Sequence, residues 1–197
     1  MRLALPLLAA LLAACSTVPA AAPEGAPFAY LESSQRGIVS RNALPLRVRR
    51  PQGFRVTPVS SRTATFGDHP YEVSLAALLS DEGAVMVHAE RVADSSGASN
   101  YDDLPLAGWP DERFRVRTMC AAIPAEAVAG EHDLAFLARN GWDPVGSLAL
   151  EQYLATTPDH NQELVVSLAV RVADCARSEE NAARLRALRD RLSVTRS

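Results

Sequence analysis

Lysine is absent from this chain: all 20 of its basic residues are arginine. That absence removes several reaction classes. A Walker-type phosphate loop, a pyridoxal Schiff base and a Ser-x-x-Lys acylation centre each need an ε-amino group. Histidine is scarce, at 4 residues, and no two are spaced as in a His-Glu-x-x-His zinc helix. No Gly-x-Ser-x-Gly nucleophile elbow occurs. Positive charge is not in excess either. The net charge is −3, which makes nucleic acid a poor partner.

What is present begins at the N-terminus. Met1-Arg2 supplies a positive start, and residues 3–14 are apolar apart from Pro6. That run is shorter than the ~20 residues needed to cross a bilayer core. It has the length of a secretory h-region. It ends in Leu12-Ala13-Ala14-Cys15, which resembles the bacterial lipobox: an apolar residue, two small residues, then cysteine. The resemblance covers residues 1–16 only. It implies a lipoprotein signal peptide over 1–14, cleavage before Cys15, and a diacylglycerol on that thiol. Palmitate-type acyl chains would then hold the protein to a membrane. Ser16, in place of aspartate, implies by the same resemblance a lipid anchor in the outer membrane with the domain facing the periplasm. The competing reading is a plain secretory signal cut after a small-residue site such as Ala20-Ala21-Ala22.

Residues 15–27 then read as the lipidated cysteine and a Pro/Ala-rich tether. In an extended form its twelve residues after Cys15 reach about 37 Å. Residues 28–197 suit a single globular domain, large enough to bury most of its apolar surface. With Cys15 assigned to lipid, Cys120 and Cys175 remain. In an oxidising compartment they read as a disulfide bond.

Residues 46–49 alternate, Pro51-Gln52-Gly53 turns, and residues 54–57 alternate again, which predicts a first hairpin. Residues 71–79 and 84–92 flank Ser80-Asp81-Glu82-Gly83 and predict a second. Residues 147–156 and 164–172 flank Pro158-Asp159-His160-Asn161 and predict a third. Residues 114–121 read as a further strand and 94–103 as a polar loop. Residues 28–43 fit no pattern, because Gly37 interrupts any helix. Residues 124–139 are helix-like, with Gly130 as a point of division and Asn140-Gly141 as a stop. A C-terminal helix is expected with Ser178 as its cap and Ala182, Leu185, Leu188 and Leu192 on one face. Residues 195–197 are expected to fray. The class expected is α+β. An antiparallel sheet built of hairpins would carry the helices, the amphipathic C-terminal one included, on one face.

The candidate centres each have a bland account. His88, between Val87 and Ala89, is expected to be a surface or half-buried strand residue. Glu131-His132-Asp133 is the densest cluster, and acids there suit a helix start. Asp94, Ser96, Asn100 and Asp102 supply oxygens but lack the glycine and glutamate of a calcium loop. No metal or cofactor is expected, and no catalytic residue is assigned. What remains is surface. Arg47, Arg49, Arg50 and Arg55 gather positive charge on the first hairpin. If Arg47 and Arg49 share a face, they could meet phosphate headgroups or an acidic partner; the competing reading is a solvated or edge strand guarded by charge. Trp109 and Trp142, in loops with proline, are candidate anchors for an envelope protein partner or a small ligand if exposed; more often loop tryptophans lid the core. The expected function is a non-catalytic binding or assembly module. The alternative is a periplasmic hydrolase whose site assembles only in three dimensions.

Overall fold

The computed structural model of the protein describes residues 28–197. The expected signal peptide, Cys15 and the tether lie outside the described residues. Residues 28–43, ambiguous as sequence, form a hairpin of β1 (Leu31–Ser34) and β2 (Gly37–Ser40). Leu31 and Ile38 are buried, while Glu32 and Ser34 are exposed. β3 (Arg47–Arg49) pairs with β2, and β11 (Ser193–Thr195) pairs with β3, so the order is β1-β2-β3-β11.

Gly37 makes this sheet possible. Its φ is +136°, and a Cβ there would sit 2.1 Å from the Val48 carbonyl oxygen. Gly37→Ala is therefore expected to cost about 2–3 kcal/mol, combining backbone strain with a steric clash. The measurement is the urea midpoint, which should fall at unchanged slope. A midpoint equal to that of the parent would contradict the close approach.

The larger sheet contains β4 (Arg55–Val56), β5 (Ser60–Phe66), β6 (His69–Leu79), β7 (Ala84–Val92), β8 (Arg115–Ile123), β9 (Gly146–Thr156) and β10 (Gln162–Arg171). Its order is β4-β6-β7-β10-β9-β8, with β5 sharing the β4 edge of β6. All pairings are antiparallel. The second and third hairpins form as their turn residues predict. Helices α1 (Ala125–Gly130) and α2 (His132–Arg139) divide at Glu131, and α3 (Ser178–Asp190) precedes β11. With eleven strands and three helices among the described residues, the domain is mostly antiparallel sheet rather than an even α+β mixture. None of these helices is long and apolar enough to cross a membrane.

The helices do not share a face, which corrects the expectation. Ala76, Leu78, Val85, Val87, Leu164 and Leu168 pack against the small sheet and against Leu185 and Leu188 of α3. Leu75, Ala77, Leu79, Met86 and Leu148 pack instead with Phe136 and Leu137 of α2 and with Trp142. The reason lies in the strands. Residues 75–79 and 164–170 are almost unbroken runs of buried, mainly apolar residues, so both faces of the sheet need cover.

The predicted first hairpin is also corrected. Pro51-Gln52-Gly53 does turn, with Gly53 at φ +83° and the Phe54 N–H donating to the Pro51 carbonyl. It hands the chain from one sheet to the other, so β3 and β4 are not partners. β3 pairs instead with β2 and with β11, which places Val194 opposite Val48 and takes in Thr195, the first of the residues expected to fray. Ser178 is not the cap of α3; it is the first helical residue, after Arg177. Asn181, not Ala182, shares the buried stripe with Leu185 and Leu188, and its Nδ2 donates to the Asp174 carbonyl at 3.0 Å. Cys120 and Cys175 sit at disulfide distance, with sulfurs 2.05 Å and Cα atoms 5.5 Å apart. They link the edge strand β8 to the segment before α3.

Candidate functional site

Both tryptophans close the core. Trp142 is 3% exposed, its Nε1 donates to the Ser80 carbonyl at 3.1 Å, and the Arg171 guanidinium lies 4.9 Å from its ring. Trp109 is half-buried and meets the Tyr153 ring edge-on at 4.5 Å. Trp142 is therefore a lid of the core and not an exposed anchor, and Trp109 is engaged in packing. Arg55 is parted from the other arginines. It lies on β4 and donates to the Asn140 carbonyl beyond the C-terminal end of α2, where a cation complements the helix dipole.

The other arginines do converge. Val48 of β3 is 1% exposed, so Arg47 and Arg49 on either side of it share the outer face of the small sheet. Gln35 and Arg36, from the β1–β2 turn, and Arg50 complete a shallow open groove of about 520 Å³. Arg50 is pinned: its Nε donates to the Gln35 carbonyl at 2.7 Å and its Nη1 to the Phe54 carbonyl at 3.0 Å. The nearby acid on this face, Glu32, is taken by Arg41 at 2.5 Å. Among the described residues, no carboxylate comes within ion-pair distance of Arg36, Arg47, Arg49 or Arg50. A positive groove thus stands open on a chain whose net charge is −3. Sequence reasoning missed Arg36, although the polar Gln35-Arg36 before a glycine is itself a turn signal.

A second polar cluster lies under the opposite face of the larger sheet. Glu90 of β7 and Glu163 of β10 are direct cross-strand partners, and His88 is two residues from Glu90 on the same face. His88, Glu90 and Glu163 are 5%, 6% and 4% exposed. This corrects the expectation that His88 lies at or near the surface. Asp133 of α2 reaches in, with its Oδ2 3.1 Å from His88 Nε2. Tyr101, from the loop before β8, donates to Glu163 Oε2 at 2.9 Å. Arg62 of β5 lends positive charge to Asp133 and Glu90, and its Nε is buried without a hydrogen-bond partner among the described residues.

The ionisation pattern follows from burial and these neighbours. Burial opposes charge on His88, but the negative charge and hydrogen bonding of Asp133, with Glu90 and Glu163, push its pKa up to about 9. Burial first, then the charge of Glu163, pushes Glu90 up to about 8. Burial acts to raise Asp133, but the His88 charge, the neighbouring His132 and the positive charge of Arg62 hold it well below the usual carboxylate range. Burial and Glu163 raise the Tyr101 hydroxyl. These shifts favour a charged His88–Asp133 pair and a protonated Glu90.

Among the described residues, none of the histidines is set between a hydroxyl and a carboxylate as the base of a catalytic triad would be. A triad presents its hydroxyl and carboxylate to opposite ring nitrogens. His69 meets Ser96 Oγ at 2.8 Å and Asp94 Oδ2 at 3.3 Å through the same Nδ1. His160 Nδ1 lies 3.2 Å from the Ser99 carbonyl, which can only accept, so that nitrogen carries the proton and takes none from Thr156. No hydroxyl or thiol of the described residues hydrogen-bonds His88, and His132 Nδ1 is buried without a partner among them. Among the described residues, no three His, Cys, Asp or Glu side chains are grouped to hold a metal ion. The signal for the buried cluster was present in β7: Ala84, Met86, His88, Glu90 and Val92 alternate onto one face that begins and ends apolar.

Compared with known proteins, the chain matches no family model, no curated protein and no solved structure.

Proposed function

We propose that this chain is a membrane-anchored envelope lipoprotein. Its acyl chains hold it at the outer membrane, and its domain faces the periplasm as a non-catalytic binding or assembly module for an anionic partner. The observation that carries this reading is the groove of Arg36, Arg47, Arg49 and Arg50, an open cationic surface with no acid of the described residues at ion-pair distance. The likeness of Leu12-Ala13-Ala14-Cys15 to a lipobox supports the placement, and no histidine of the described residues stands between a hydroxyl and a carboxylate in the manner of a triad base. Replacing the lipid-accepting thiol tests the placement. Cys15→Ser is expected to wash off the membranes of the producing cell in high salt, which removes charge-mediated binding, while the parent stays. A parent whose N-terminus carries no fatty-acid mass, or that washes off as readily as the variant, would refute the anchor.

A further inference from the structure

The groove's position on the chain says what it meets, on the reading that Cys15 carries the anchor. β1 begins at Leu31, four residues after the tether would end, and it is the first strand of the sheet that carries the groove. Arg47 stands level with Val39, which is level with Glu32; Arg49 stands level with Gly37 and Ser34. At about 3.3 Å per residue, the whole arginine row lies within roughly 10–15 Å of the first residue of β1 along the strand direction. The tether's own reach of about 37 Å leaves ample slack for this face to turn to the surface in which the acyl chains sit. The face is polar: Ser34, Ser193 and Thr195 surround the arginines, and Val39, half-buried, is its largest apolar side chain. It offers charge and hydrogen bonds, not an apolar wedge. Guanidinium groups bind phosphate oxygens in a bidentate fork, and Arg50 is already fixed in place by two carbonyls.

We propose that the groove seats the phosphodiester headgroups of anionic phospholipids in the leaflet that holds the anchor, so that the small sheet lies against the membrane. Each arginine near an anionic surface contributes about a fivefold gain in partitioning, which falls away with added salt. The probe is the full chain carrying Cys15→Ser, which cannot be lipidated, sedimented with vesicles of phosphatidylglycerol and phosphatidylcholine or of phosphatidylcholine alone. The second vesicle measures whatever the apolar residues 3–14 contribute. The chain is expected to bind the anionic vesicles more tightly. The double substitution Arg47→Gln with Arg49→Gln should cut that excess about 10–30-fold. Arg184→Gln with Arg186→Gln, an equal charge change at exposed positions of α3, should leave it nearly intact.

Equal losses for the two pairs would mean that net charge, not the groove, is read. No excess on anionic vesicles would overturn the inference while leaving the lipid anchor untouched. Displacement by inorganic phosphate at constant ionic strength would make the groove a site for free phosphate and would likewise overturn it. Thermal melts of both pairs should match the parent, since all four side chains are exposed.

Discussion

Replacing Cys120 and Cys175 together by alanine is expected to lower the stability of the domain by about 4 kcal/mol. The bridge closes a loop with a sequence separation of 55. In the chain-entropy account, its removal frees the unfolded chain by that amount. For a domain of this size the melting temperature should fall by roughly 8–16 °C. Reducing agent added to the parent should reproduce the drop, which separates loss of the bond from loss of side-chain packing. A shift below about 2 °C would show that the link adds nothing to the fold. The double replacement avoids leaving a reactive thiol, and membrane fractionation should be unaffected.

Raising the pH should weaken the fold without any change in covalent structure. His88 has a folded pKa of about 9 against an ordinary 6.5. Its contribution is therefore fully present below 6.5 and is lost as the pH rises through about 9. Glu90 has a folded pKa of about 8 against an ordinary 4.5, so its contribution erodes from 4.5 to about 8. The two windows overlap between 6.5 and 8, where the slope should be steepest. Together they should lower the stability progressively toward the alkaline side. Asp133 runs the other way: its depressed pKa makes its contribution fall only under strong acid. Arg62, His132, Glu163 and Tyr101 face the same cluster. Urea midpoints at several pH values decide the matter. The parent should decline, and Glu90→Gln, which mimics the neutral acid, should flatten the acidic part of that decline. A parent profile level from pH 6 to 9 would remove the argument.

Local pattern carried the second and third hairpins, the divided helix and the cysteine pairing. Each of these rests on neighbours in sequence or on elimination among few residues. It did not carry the partners of β3. Alternation at residues 46–49 and 54–57 looks the same whether the two segments pair or part, and the true partner lies at the far end of the chain. The two-sided cover of the larger sheet was legible in the unbroken runs of β6 and β10, had they been weighed as sheet centre. The arginine face was half legible. Arg47 and Arg49 alternate around Val48, but Arg55 belongs to another sheet and Arg36 arrives from a turn. His88 with Asp133 could not be read from spacing, because 45 positions of chain and a helix–sheet packing bring them together.

The short strand Ser193–Thr195 has a consequence for the order of assembly. A ribosome releases the opening hairpin first and this strand last. The sheet at the head of the domain therefore waits for the tail before its outer row is complete, so the two ends of the chain mature as one unit. Deleting the last few residues would strip the groove's border rather than trim a loose end. A purification tag placed directly after Ser197 would begin two residues beyond that bordering strand.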